Sequence, residues 1–159
     1  MNDYATLPAS TRVWIYHSNR PFDDQELPMV KVKLQQFARQ WVSHNRQLRA
    51  HGDILHNRFV VLMVDESQSG ASGCSIDSSV NFLKSLQAEH NVDLFDRMIF
   101  SYLDGEQVKS VSRDEFSALY EAGKITDDTP VFDTLVNNKG DFEQQWIKPL
   151  SQSWHKRMV

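Results

Sequence analysis

Six consecutive apolar residues, Phe59-Val-Val-Leu-Met-Val64, run straight into Asp65-Glu66 and then into the small-residue loop Ser67-Gln-Ser-Gly-Ala-Ser-Gly-Cys74-Ser-Ile-Asp77. A run of this length is strand-sized, far short of the ~20 residues that cross a bilayer. Helical spacing resumes at Val80, Leu83 and Leu86, so the order is strand, glycine-containing loop, helix. That order presents backbone N–H groups and a side chain to a small ligand, and it makes Ser72 to Ser79 the first place to look for a site.

The chain has 159 residues, 40% of them hydrophobic. That length is enough to bury one continuous core, so a single domain over residues 1–159 is expected, with loose or frayed ends at 1–10 and 151–159. A formal net charge of -4 with no Lys/Arg cluster disfavours nucleic acid and anionic lipid surfaces. One cysteine cannot form an internal disulfide, and the start Met1-Asn-Asp-Tyr-Ala lacks the basic residue and apolar run of a secretory signal. A cytoplasmic protein without membrane insertion is the expectation.

The remaining pattern predicts an α+β fold. Val13 to Tyr16 reads as a first strand buried on both faces. A helix then runs from Asp23 or Asp24 through Leu27, Val30, Leu34, Phe37, Ala38, Trp41 and Val42, with His44 and Arg46 in its last turn. Leu48 to His56 and Phe59 to Asp65 form a hairpin that turns near Asn57-Arg58. A second helix runs from Asp77 to about His90, capped by Ser75 or Asp77. Arg97 to Leu103 and Gln107 to Ser112 flank Asp104-Gly105, a strong hairpin signal. Ser112-Arg-Asp-Glu115 matches a capping box opening a helix that Gly123 ends. Pro130 to Val136 reads as a strand, and Gly140 to Ile147 as a last short helix. The leading β-α-β-β-α-β order is that of a ferredoxin-like unit, extended by a hairpin strand and a C-terminal helical piece.

Two chemistries fit the Ser72 to Ser79 loop. Cys74 just ahead of a helix would lie near unpaired amide hydrogens and the positive dipole end, which favours thiolate. His56, His155 or Asp65 would then serve as base or orienting group. Alternatively Ser72, Gly73, Ser75, Asp77 and Ser78, with Asp65 beside them, would bind a small anion at the helix start. Helix capping by Ser75 and Asp77, and a buried cysteine filling core space, are the plain structural readings of the same residues. Gly70 to Ile76 carries no lysine where a nucleotide-binding phosphate loop needs one. The six histidines form no zinc-type spacing, so neither a metal nor another cofactor is expected. Trp154 in the tail is expected to dock on its own domain or on a partner.

Five strings, Val13-Trp-Ile-Tyr-His-Ser-Asn-Arg20, Met63-Val-Asp-Glu66, Ser72-Gly-Cys-Ser-Ile-Asp77, Asp93-Leu-Phe-Asp-Arg97 and Ser153-Trp-His-Lys-Arg157, resemble a family of short bacterial proteins labelled "ABC transporter ATPase". The resemblance covers nearly the whole chain and carries over no catalytic residue. Val111 to Phe132, with Ser112-Arg-Asp-Glu-Phe116, Gly123-Lys-Ile125 and Thr129-Pro-Val131, is similar to the core of GYF-type domains, which implies recognition of proline-rich peptides. The sequence therefore supports two classes of function. One is a small-ligand or thiol-active site at Ser72 to Ser79, with a small anion as partner. The other is a non-catalytic module that binds a protein or peptide. Whether the chain is an enzyme is left open between them.

Overall fold

A computed structural model describes residues 4–159, which fold into four α-helices and three antiparallel sheets. The apolar run becomes β5 (Phe59–Asp65), flanked by β1 (Arg12–His17) and β4 (Arg49–Leu55) in the order β1-β5-β4. Every residue of β5 is buried, because its alternating side chains enter two different cores. Val60, Leu62 and Val64 pack with Val30, Leu34 and Ala38 of α1 (Glu26–Gln40) and Leu83 and Leu86 of α2 (Gly73–His90). Phe59, Val61 and Met63 face the other way, onto Leu7, Phe132, Phe142 and Trp146.

The second large sheet has the order β7-β6-β8-β9. It is built from β6 (Ile99–Asp104), β7 (Gln107–Ser112), β8 (Pro130–Phe132) and β9 (Ile147–Pro149), with α3 (Arg113–Glu121) and α4 (Lys139–Gln145) between strands. Its far face holds a third core of Phe100, Tyr102, Phe116, Ile125, Val131 and Leu150. The adjacent residues Val131 and Phe132 of β8 thus point into different cores. No helix is long and apolar enough to cross a membrane among the described residues.

The mixed α and β content matches the sequence reading, while the strand arrangement differs from a ferredoxin-like unit. β1 runs antiparallel to β5, and the strand after α2 leaves the first sheet altogether to pair with β7 and β8. The first sheet therefore ends at β1. That strand is half-exposed, with only Val13 and His17 buried, where the sequence reading had it buried on both faces.

Several boundaries also move. Helix α1 stops at Gln40, and Trp41 is already extended, with φ -70° and ψ 123°. Val42–Ser43 (β2) and Arg46–Gln47 (β3) form a two-stranded hairpin around His44 and Asn45, whose φ values are 50° and 63°. His44 and Arg46 are consequently not in a last helical turn. Helix α2 begins at Gly73, capped by Ser72, whose hydroxyl accepts the Ser75 N–H at 3.2 Å. The β4–β5 turn places His56 and Asn57 in the left-handed region, at φ 51° and 58°. Strand β8 ends at Phe132 because Asp133 turns to accept hydrogen bonds from Lys148, Trp154 and the Leu135 N–H. The ends that are described are docked. Leu7 is buried, and Trp154 and His155 sit in a 3₁₀ turn, Trp154–Met158, packed on the third core. The first three residues lie outside the described ones.

Candidate functional site

The residues singled out in the sequence do not assemble into one centre. Cys74 is exposed in the first turn of α2, inside the helix rather than ahead of it. The serines around it close the helix on itself. The Ser75 hydroxyl donates to the Ser72 carbonyl at 2.8 Å, and Ser79 donates to the Ile76 carbonyl at 2.6 Å. Gly73, Asp77 and Ser78 are exposed. Asp65 is buried at the end of β5, where it accepts from Arg49 at 2.7 Å and from the Ser67 N–H at 3.0 Å. These contacts hold its carboxyl below the usual carboxylate range against the opposing effect of burial.

The two histidines lie elsewhere. His56 sits on the β4–β5 turn against Phe59, Phe132 and Trp146. His155 is buried in the third core, stacked on Trp154 at 3.8 Å and hydrogen-bonded to Ser153 at 2.6 Å. Burial pushes its imidazole down to about 4. No contact joins Cys74, His56 and His155 among the described residues, so no nucleophile–base pair is formed. Cys74 is expected to react with a maleimide in the native protein as fast as in the unfolded chain, without loss of fold. Labelling followed by mass spectrometry checks this, and protection in the native state would contradict its exposed placement.

A cleft of about 270 Å³ runs along the outer edge of β1. One wall is the segment from Leu94 to Arg97, the other runs from Thr134 to Asn137, and the Trp154 ring also borders it. The floor is β1 itself, Val13 to His17. In an antiparallel pair alternate residues turn their N–H and C=O outward. The Ser18 N–H goes inward to the Arg58 carbonyl, while the Val13 N–H goes outward to the Asn137 carbonyl at 3.0 Å. Outward groups therefore belong to Thr11, Val13, Ile15, His17 and Asn19.

The two ends of this edge are occupied. Lys139 N–H donates to the Thr11 carbonyl at 2.8 Å, and Asn19 N–H donates to the Asp93 carbonyl at 3.0 Å. Between them, the Val13 C=O, both backbone groups of Ile15 and the His17 N–H face the cleft with no partner among the described residues. Protein sheets usually cover or blunt such an edge. Here the middle of the strand is left open between two closed ends.

No known protein family, curated protein or solved structure matches the chain. The cleft must be understood from its own walls. These are apolar and aromatic, with Phe95 set edge-on to Tyr16 at 5.5 Å and Leu135 62% exposed. Two charged residues line it, Asp96 and Arg97. One Asp96 oxygen accepts the Met98 N–H at 2.9 Å. Burial pushes the Tyr16 phenol up, and the Arg97 cation and the Ser79 hydroxyl draw it back. Arg97 is exposed and has no carboxylate within 4.0 Å among the described residues.

Behind the floor, a partly buried polar chain ties the two large sheets together. Arg58 Nη1 donates to Ser110 at 2.7 Å, Ser110 and Ser101 are 2.6 Å apart, and Ser101 reaches His17 Nε2 at 2.7 Å. Burial pushes the His17 imidazole down to about 4 against the opposing pull of the Ile99 backbone, so it stands neutral. A neutral ring whose Nε2 accepts from Ser101 fits the chain, while the buried Arg58 Nε has no partner among the described residues. The chain fixes the end of β1 against β6 and β7, and with it the shape of the cleft. Among the described residues, no group of three or more His, Cys, Asp or Glu is placed to hold a metal ion.

Sequence reading missed this site because its parts come from four segments far apart in the chain. The strand itself was legible from Val13 to Tyr16. Its position at the edge depends on which strands pair, and no local pattern encodes that.

Proposed function

We propose that this protein is a non-catalytic interaction module that receives an extended polypeptide along the open edge of β1. The observation that carries the reading is the set of four outward backbone groups from Val13 to His17 lying in a walled cleft without partners among the described residues. An added strand supplies the complementary N–H and C=O groups. In such strand addition main-chain hydrogen bonds give affinity, and flanking pockets select side chains. The apolar side chains of the walls, Leu94 and Phe95 on one side and Leu135, Val136 and Trp154 on the other, favour apolar side chains next to the strand. The similarity of Val111 to Phe132 to GYF-type domains points to the same class of function. The Ser72 to Ser79 loop has less support as a ligand site, since the Ser72, Ser75 and Ser79 hydroxyls already serve the helix start.

The test is titration of the isotopically labelled protein with a pool of random heptapeptides acetylated at the N-terminus. Backbone amide signals of residues 13–17 are expected to shift in a saturable way. Leu135→Glu, on an exposed wall residue, is expected to weaken the effect at least fivefold while leaving the melting temperature within a few degrees. Ile15→Pro removes an outward donor without deleting an inward ladder bond, as edge strands tolerate, and is expected to abolish the shifts in a protein that circular dichroism shows to be folded. Shifts absent from residues 13–17, or unaffected by Leu135→Glu, would remove the reading.

A further inference from the structure

The length of the open edge and the position of its charges say which part of a polypeptide it fits. This step rests on the strand-addition reading above. From the Val13 C=O to the His17 N–H the lane offers four backbone groups, and both of its ends are already filled by the chain's own segments, Asn137 at one and Asp93 at the other. A continuous strand would have to bend out of the lane twice. A chain terminus bends out only once.

The charges decide which terminus. Arg97 lines the cleft on the wall that follows Asp93, and the Asp93 carbonyl accepts the Asn19 N–H just past the His17 end of the lane, so this cation belongs to that end. An amino terminus there would set an ammonium against a guanidinium. A carboxylate there would be complementary, and arginine with carboxylate is among the stronger charge-assisted hydrogen-bonding pairs. At the opposite end Lys139 is committed to the Tyr4 and Leu7 carbonyls at 2.9 and 2.7 Å, and Arg12 lies over the Trp14 ring with the Glu66 carboxylate 3.9 Å away. Asp96 is the one acidic side chain on the walls, and one of its oxygens is turned to the Met98 N–H.

We infer that the cleft captures the free C-terminal end of a polypeptide, laid parallel to β1 with its carboxylate between the His17 N–H and Arg97. Parallel pairing matches the open groups one by one. The N–H and C=O of the antepenultimate residue meet the Val13 C=O and the Ile15 N–H. The N–H of the last residue meets the Ile15 C=O, and its carboxylate accepts the His17 N–H and the Arg97 guanidinium. Three residues fill the lane, and the chain upstream leaves over Asn137. Capture of a terminal carboxylate by backbone N–H groups is a recurrent mode of peptide recognition.

The random heptapeptide pool separates this from strand addition in general when it is made in two forms, one with free C-terminal carboxylates and one fully amidated. The free-acid pool is expected to shift the Ile15 and His17 amides and the Arg97 side-chain signal at a concentration at least tenfold lower than the amidated pool. Arg97→Gln is expected to bring the two pools within about twofold, and added salt to narrow the gap in the unaltered protein. Equal response to both pools, or a preference that survives Arg97→Gln, overturns terminal capture and leaves strand addition standing. An amidated pool enriched in Asp and Glu that matches the free acid overturns it as well. Failure of both pools to move the amides of residues 13–17 removes strand addition itself, and terminal capture with it.

Discussion

Replacing Phe59 with alanine is expected to lower the stability of the fold by about 4 kcal/mol, within the range of about 3–5 for emptying a buried aromatic position. Phe59 is 0% exposed. It is stacked with Phe132 at 4.9 Å and with His17 at 4.8 Å, and it meets the Trp146 ring edge-on at 5.2 Å. Its ring is therefore the place where β5 of the first sheet touches β8 of the second. Removing it opens a space that neighbouring strands cannot close, because each is held in register by its own ladder. Phe59→Leu keeps much of the volume and is expected to cost roughly 1–2 kcal/mol. Denaturant midpoints with unchanged slopes measure both. A loss under about 1.5 kcal/mol for the alanine variant would mean that the sheets are not joined through this ring.

The consequence reaches the cleft. His17 stacks on Phe59 and ends the strand that forms the floor, so the same substitution loosens one end of the proposed lane. Binding to residues 13–17 should weaken in Phe59→Ala even under conditions where the protein remains folded. Phe59 itself contributes nothing to the cleft surface, and the effect runs only through His17.

What was legible in the sequence was local. The Asp104-Gly105 signal marks the β6–β7 hairpin, whose two turn residues are Gly105, at φ 61°, and Glu106. Ser112 caps α3 by accepting the Glu115 N–H at 3.3 Å, and Gly123 follows the helix at φ 72°. These signals act within four or five residues, where backbone geometry and side-chain hydrogen bonds decide the outcome. The errors came where distant contacts overrule the local pattern. Helical spacing continues through Trp41 and Val42, yet the Trp41 ring is drawn into the core and its Nε1 donates to the Ser75 carbonyl of α2 at 2.8 Å. The chain must then reverse at His44 and Asn45.

The functional candidates failed for the same reason. Cys74, His56 and His155 are each in an environment their neighbours make plausible, but proximity between them would have required strands and helices to pack in a way the sequence does not state. The polar chain Arg58–Ser110–Ser101–His17 shows the reverse case. None of its members forms a motif, and the β4–β5 turn, β6 and β7 deliver three of them to the end of β1.

Two buried imidazoles, His17 and His155, set how the fold responds to acid. Burial holds both His17 and His155 down to about 4, against about 6.5 in an unfolded chain. A group whose folded value is depressed takes up its proton in the unfolded chain first. Stability is therefore complete above pH 6.5, falls as the pH drops from 6.5 to 4, and levels off for these groups below 4. At pH 4.5 each group has cost about 2–3 kcal/mol, so together they remove about 5 kcal/mol relative to pH 7. That is comparable to the whole margin of many domains, about 5–15 kcal/mol.

The structure gives the cause at each site. A proton on His17 Nε2 would face the Ser101 hydroxyl that now donates to it, with the Arg58 guanidinium close behind. A proton completing His155 would charge a ring enclosed by Phe100, Phe116 and Trp154. The carboxylates act in a separate window. Glu26, paired with Arg20 and His90, is held to about 2, and Asp65 and Asp133 are also held down. They support the fold until the pH falls below the ordinary carboxylate range near 4. Denaturation midpoints measured from pH 7.5 to 4.5 should therefore drop steeply, with most of the drop lying above about pH 5, where Glu26, Asp65 and Asp133 begin to contribute. His17→Gln and His155→Gln should each flatten the slope by about half while lowering stability at pH 7.5. A profile flat between pH 7 and 5 would show that neither ring is buried as described, and that the end of β1 is not locked to the second sheet.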